Sequence, residues 1–172
     1  MTRAIVKLTQ GFDPAEDRIF LDVLFEGNVR HRYWLTQRLA GSLVPHLCQW
    51  LDDHLARTAS GHHDLRLHDF EQRVAQSALR PDAAVAPAEA QSRIDSIDLD
   101  RDEAHVRITL KAATDAALDP ATMTLDATQL RQWLGILRDL YRAAGWHTGM
   151  WPTWIGADAT SASPTGLPLH LH

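Results

Sequence analysis

The sequence predicts an α+β domain in which antiparallel sheet carries its helices on one face. Three observations lead to this fold class. Short segments rich in β-branched and aromatic residues alternate between apolar and polar positions and end at turn residues. Two longer segments repeat apolar residues at three- and four-residue spacing, as amphipathic helices do. The elements follow the same order in both halves of the chain, which suggests a pseudo-duplicated β-β-β-α unit.

The first half contains three predicted strands. Residues 3–9 (RAIVKLT) and 17–25 (DRIFLDVLF) are separated by a segment rich in glycine, proline and acids, which predicts a turn. Gly27 and Asn28 predict a tight hairpin into the third strand, residues 29–35. Alternation along this strand places Val29, His31 and Tyr33 on one face, and Arg30, Arg32 and Trp34 on the other.

A helix is predicted after the third strand and ends near Arg57. Thr36 precedes it, and a threonine hydroxyl at that position accepts a hydrogen bond from a free N–H of the first turn. A second, shorter helix is predicted over residues 63–79, with Leu67, Phe70 and Val74 at helical spacing. Residues 80–91 are rich in alanine and proline, which indicates a connector.

The second half repeats the pattern. Strands are predicted at residues 93–100, 103–111 and 122–126, and Asp126 is placed to cap a helix over residues 127–144. The half-repeats are therefore residues 1–60 and 92–145, joined by a helix and linker at 63–91. Tandem duplication and independent similarity of two such segments both fit this pattern. We expect one domain over residues 1–156, followed by a flexible tail at 157–172.

Composition limits the class of protein. The chain has 172 residues, 45% of them hydrophobic and 23% charged, which suits one globular domain. Its net charge of −5 argues against nucleic acid as the main partner, which would require Arg3, Arg30, Arg32 and Arg38 to converge. A single cysteine and the lack of a long apolar run predict a cytoplasmic protein without a signal peptide or membrane span.

No catalytic motif is present. The sequence lacks G-x-S-x-G, both glycine-rich nucleotide loops and H-E-x-x-H. Three of the ten histidines lie in GHHDLRLH, but no paired cysteines accompany them as soft ligands. Cys48 lies within the first predicted helix, where a lone thiol is usually packed. We therefore expect no catalytic residue, no metal and no cofactor.

Tryptophan suggests a different kind of site. Trp146, Trp151 and Trp154 lie within nine residues, although the whole chain has only six tryptophans. Gly145 is placed to end the preceding helix in a left-handed turn. The segment either folds back over the core or docks a partner, since tryptophan is common in both settings. Trp34 is the fourth candidate for interaction.

Two hypotheses follow. The leading one is a non-catalytic protein–protein interaction or accessory module of a soluble bacterial-type protein, which binds another protein or itself as a homodimer. The alternative is a small-molecule or metal-binding protein, including a weakly signalled enzyme. Its ligand-binding candidates are Arg30, His31, Arg32, His46 and His54.

Overall fold

The computed structural model describes residues 2–59, 65–80, 82–112 and 119–156, together with the backbone of 168–170. It contains three α-helices: α1 (Gln37–Thr58), α2 (Leu65–Ala78) and α3 (Ala127–Ala143). The strands are β1 (Arg3–Asp13), β2 (Arg18–Phe25), β3 (Val29–Leu35), β4 (Gln91–Arg101), β5 (His105–Ala112), β6 (Ala121–Asp126) and β7 (Pro168–His170). The fold is therefore α+β, and no helix in the described ranges is long and apolar enough to cross a membrane.

The first six strands close into a mixed barrel. β1, β2 and β3 form one antiparallel meander, and β4, β5 and β6 form another. A parallel seam joins β3 to β4 through residues 32–34 and 91–93, and a second joins β6 to β1 through residues 121–122 and 3–4. The predicted antiparallel sheet with helices on one face is therefore wrong.

The error arises because the alternation of apolar and polar residues carries limited information about a strand. A period of two shows which residues of a strand are buried, but not which strand lies beside it. Parallel neighbours need a long crossover connection, and α1 and α2 provide it between β3 and β4. Closure also pairs the edges that an open sheet would expose.

The predicted strands contribute alternate residues to the core. Ile19, Leu21 and Val23 of β2 are buried, as are Val106, Ile108 and Leu110 of β5. α3 packs against β1 and β6, and its buried side chains include Arg131 and Gln132 as well as its apolar stripe. α3 is thus surrounded by protein on more sides than an ordinary surface helix.

Local signals at the helix ends are confirmed. The Thr36 hydroxyl accepts a hydrogen bond from the Leu39 N–H at 3.3 Å, and Asp126 forms a capping box with Gln129. Gly145 has a φ of 68°, and the N–H of Trp146 donates to the carbonyl of Tyr141. That bond pattern is a Schellman motif, in which glycine tolerates the left-handed backbone after the helix.

The predicted tail lies outside the described residues, except at 168–170. This backbone forms β7, which pairs antiparallel with residues 7–9 of β1. Residues 60–64, which include the first part of the second predicted helix, also lie outside the described ranges.

Candidate functional site

Helix α2 buries two polar side chains against the protein and leaves three large apolar side chains exposed to solvent. Its buried residues are His68, Gln72 and Ala75. Three large apolar side chains are exposed, Leu65 by 64%, Phe70 by 55% and Val74 by 45%. A surface helix ordinarily buries its apolar stripe and exposes its polar one. Phe70 and Val74 lie four residues apart on one side of α2, and they define here its outward face, which does not follow that rule. Leu65 is exposed at the amino end of the helix, on a different side.

Amide side chains attach α2 to α3. The Nε2 groups of Gln72 and Gln76 donate to the backbone carbonyl of Arg131 at 3.0 and 3.2 Å. From the other helix, the Nε2 group of Gln132 donates to the carbonyl of Ala75 at 2.8 Å. Polar hydrogen bonds therefore fix the orientation of α2 and explain why its glutamines face inward.

A buried chain of polar groups lies beneath the same helix. His68 Nε2 lies 3.2 Å from Asp52 Oδ1 on α1, and its Nδ1 lies 3.3 Å from Arg131 Nη2 on α3. The indole of Trp154 stacks on the His68 ring at 4.6 Å and lies 5.1 Å from the Arg131 guanidinium carbon. Three helices and the C-terminal segment thus meet at one imidazole.

The geometry of this cluster assigns the imidazole a structural role. A guanidinium only donates, so His68 Nδ1 accepts from Arg131 and Nε2 carries the proton that it donates to Asp52. Both ring nitrogens are engaged, which leaves neither to act as a general base toward a substrate. Burial lowers the pKa of Arg131. The cluster thus helps to fix the orientation of α2 against α1 and α3.

Cys48 lies on α1 near this cluster, and it is buried and not in a disulfide. Burial and the nearby Asp52 carboxylate raise the pKa of the Cys48 thiol to about 12. The thiolate is the nucleophile, and the raised pKa keeps the group protonated throughout the neutral range.

We expect Cys48 in the native protein to react with a disulfide reagent such as Ellman's reagent at least on the order of a hundredfold more slowly than in the unfolded chain. The rate of thiol release at pH 8, with and without guanidinium chloride, measures this ratio. Equal rates in the two conditions would contradict the burial of Cys48.

The three C-terminal tryptophans are packed within the chain. The exposed fractions of Trp146, Trp151 and Trp154 are 9%, 7% and 3%. Trp146 and Trp151 contact the Tyr141 ring edge-on at 5.0 and 5.4 Å, and Trp146 Nε1 donates to Asp17 at 3.1 Å. The segment from Trp146 to Ile155 therefore folds back over the core and presents little indole surface to solvent.

The candidates on β3 divide between the two faces of the barrel wall. His31 points inward, where its Nε2 lies 3.1 Å from Ser92 Oγ and its ring packs on Tyr33. Arg30, Arg32 and Trp34 lie on the outer face. The guanidinium of Arg32 binds both carboxylate oxygens of Asp22 at 2.7 Å, and it lies over the rings of Phe20 and Trp34.

The two helix histidines also occupy separate environments. His46 is exposed on α1. His54 stacks on Trp50, and its Nδ1 lies 3.0 Å from the carbonyl oxygen of Glu103 in the β4–β5 turn. The five predicted ligand-binding residues thus do not converge on one site. Among the described residues, no group of three histidine, cysteine or acidic side chains is placed to hold a metal ion.

A cavity that the sequence did not predict lies at the amino end of α1. It has a volume of about 290 Å³ and is lined by Arg18, Thr36, Arg38, Leu39, Arg93, Ile94 and Asp95. These side chains come from the start of β2, the start of α1 and the start of β4. The pairing of β3 with β2 and with β4 brings the three arginines together.

Comparison with protein-family models, with curated proteins and with solved structures finds no match for this chain. Two features of the structure that the sequence pattern alone did not reveal point to a function. These are the outward face of α2 and the arginine-lined cavity.

Proposed function

We propose that the protein is a non-catalytic interaction module that binds another protein through the outward face of α2. The supporting observation is that Phe70 and Val74, which lie next to each other on the outward face, are 55% and 45% exposed. Adjacent exposed apolar side chains of this size are typical of interaction surfaces. Removing them from water on binding provides a driving force that a lone surface leucine does not.

The charges beside this face favour a different protein over a second copy. Arg66, Arg73 and Arg80 are exposed along α2 and just beyond its end. Two copies that met through α2 would bring these arginines toward one another, and like charges across an interface are unfavourable. A partner protein with an apolar groove and an acidic rim would complement both the exposed apolar side chains and the positive charge of the arginines. We also propose that the protein is cytoplasmic. The alternative to a different partner protein is a homodimer formed through the same face.

We expect Val74→Asp to weaken partner binding by roughly tenfold or more, because a charge would replace an apolar side chain at the centre of the interface. Val29→Asp is the matched control, since Val29 is 43% exposed but lies at the β2–β3 turn. A photo-crosslinking amino acid at position 70 would identify the partner in the source cell. Calorimetry with that purified partner would compare the wild type and both variants.

The proposal requires that only Val74→Asp weakens binding, while both variants retain the wild-type circular dichroism spectrum. Equal affinities for the wild type and Val74→Asp would overturn it. Concentration-dependent dimerisation of the wild type that Val74→Asp abolishes would assign this face to a second copy and contradict the choice of a different protein.

A further inference from the structure

The cavity at the amino end of α1 has incompletely satisfied arginines. Arg18 Nη1 meets Glu16 at 3.4 Å and Arg93 Nη2 meets Asp95 at 3.3 Å, each through a single contact. The guanidinium of Arg38 makes no hydrogen bond or ion pair to any other described residue, and only the backbone carbonyl of Arg38 accepts a bond, from Ser42. By contrast, Arg32 donates two hydrogen bonds of 2.7 Å to the carboxylate of Asp22.

The charge in the cavity is positive although the chain is acidic. Three guanidinium groups and one carboxylate, that of Asp95, line it, whereas the whole chain has a net charge of −5. A cation cluster of this kind is unfavourable without a counter-charge. The cavity is therefore suited to an anion.

Backbone donors reinforce this preference. α1 has 22 residues, and its first turn contains no acidic side chain. Thr36 Oγ1 accepts from Leu39, while the N–H groups of Gln37 and Arg38 make no hydrogen bond to other described residues. The positive end of the helix dipole and these N–H groups add to the arginines at the same place.

We propose that this cavity binds a small organic phosphate monoester. A phosphate monoester is an anion that can accept paired hydrogen bonds from arginine forks. Leu39 and Ile94 provide an apolar wall for the organic part of the ligand. The volume of about 290 Å³ is close to the lower limit for small-molecule pockets, which suits a ligand of a few carbon atoms.

The test is a titration of the full chain with glycerol 3-phosphate, inorganic phosphate and succinate, followed by two-dimensional ¹H–¹⁵N NMR. Saturable shifts of the Gln37 and Arg38 amides are expected with the phosphates, and glycerol 3-phosphate is expected to bind more tightly than inorganic phosphate. Arg38→Gln should weaken phosphate binding roughly tenfold, since a charge-assisted hydrogen bond is lost.

Arg30→Gln is the matched control, because Arg30 is an exposed arginine on the outer face of β3 and does not line the cavity. It should leave the affinity for glycerol 3-phosphate unchanged. Equal weakening by Arg30→Gln and Arg38→Gln would show diffuse attraction to surface charge and overturn the site. Succinate binding as tightly as the phosphates would overturn the ligand class, and the spectra themselves report whether each variant is folded.

Discussion

Replacing Trp133 with alanine is expected to lower the free energy of unfolding by about 3–5 kcal/mol. Trp133 lies on α3 and is among the largest fully buried side chains of the protein. Its removal would leave a cavity in the core that α3 shares with the barrel, in addition to the lost transfer free energy. Urea unfolding followed by circular dichroism measures the change.

Trp34→Ala is the matched control for this prediction. Trp34 is only partly buried, on the outer face of β3, and its Nε1 donates to Gln91 at 2.9 Å. The expected loss is less than half of that for Trp133→Ala. Equal losses for the two variants would contradict the placement of α3 in the core.

Arg32→Met is expected to lower the free energy of unfolding by about 3–5 kcal/mol, because it leaves a buried carboxylate without its partner. The side chain of Asp22 is only 4% exposed and receives two hydrogen bonds from Arg32 at 2.7 Å. Denaturant unfolding at pH 7 measures the loss. Since the penalty comes from the unpaired charge, the double variant Asp22→Leu, Arg32→Met should recover most of the stability.

Arg107→Met provides the comparison for an exposed pair. Arg107 meets Asp100 at 3.2 Å, and both side chains are more than half exposed. Pairs of this kind contribute about 0–1 kcal/mol, so its loss should be small. If Arg107→Met and Arg32→Met were equally destabilising, or if the double variant recovered nothing, burial of the Asp22 charge would not be the cause.

The sequence predicts local structure better than it predicts which strands lie beside one another in the sheet. The β2–β3 hairpin, the Thr36 and Asp126 caps and the Gly145 terminator all depend on residues that lie within a few positions of one another, and all are confirmed. The hairpin loop has three residues, Glu26–Asn28, rather than the two predicted. Barrel closure depends on backbone pairing between residues 32–34 and 91–93, and no side-chain pattern marks that pairing. The predicted antiparallel sheet with helices on one face is wrong for this reason, although the α+β composition is confirmed.

The orientation of α2 shows a second limit of periodicity. Its sequence contains an apolar stripe through Phe70 and Val74 and a competing stripe through His68, Gln72 and Ala75. The polar surface that α3 offers at Arg131 and Gln132 decides between them. The competing stripe is visible in the sequence, but choosing it requires knowledge of the neighbouring helix. The cavity is harder to foresee, because Arg18, Arg38 and Arg93 are remote along the chain.

The two parallel seams also constrain how the chain assembles. The β3–β4 seam contains three residue pairs and the β6–β1 seam contains two, whereas the β2–β3 hairpin contains seven. Each meander forms from neighbouring segments, but the seams join residues that are distant along the chain, and such contacts form slowly. We therefore expect closure to be a late event in folding. Until it occurs, every newly made chain exposes the unpaired edges of β3, β4, β6 and β1. A high concentration of other chains therefore favours aggregation more at that stage than after the barrel has closed.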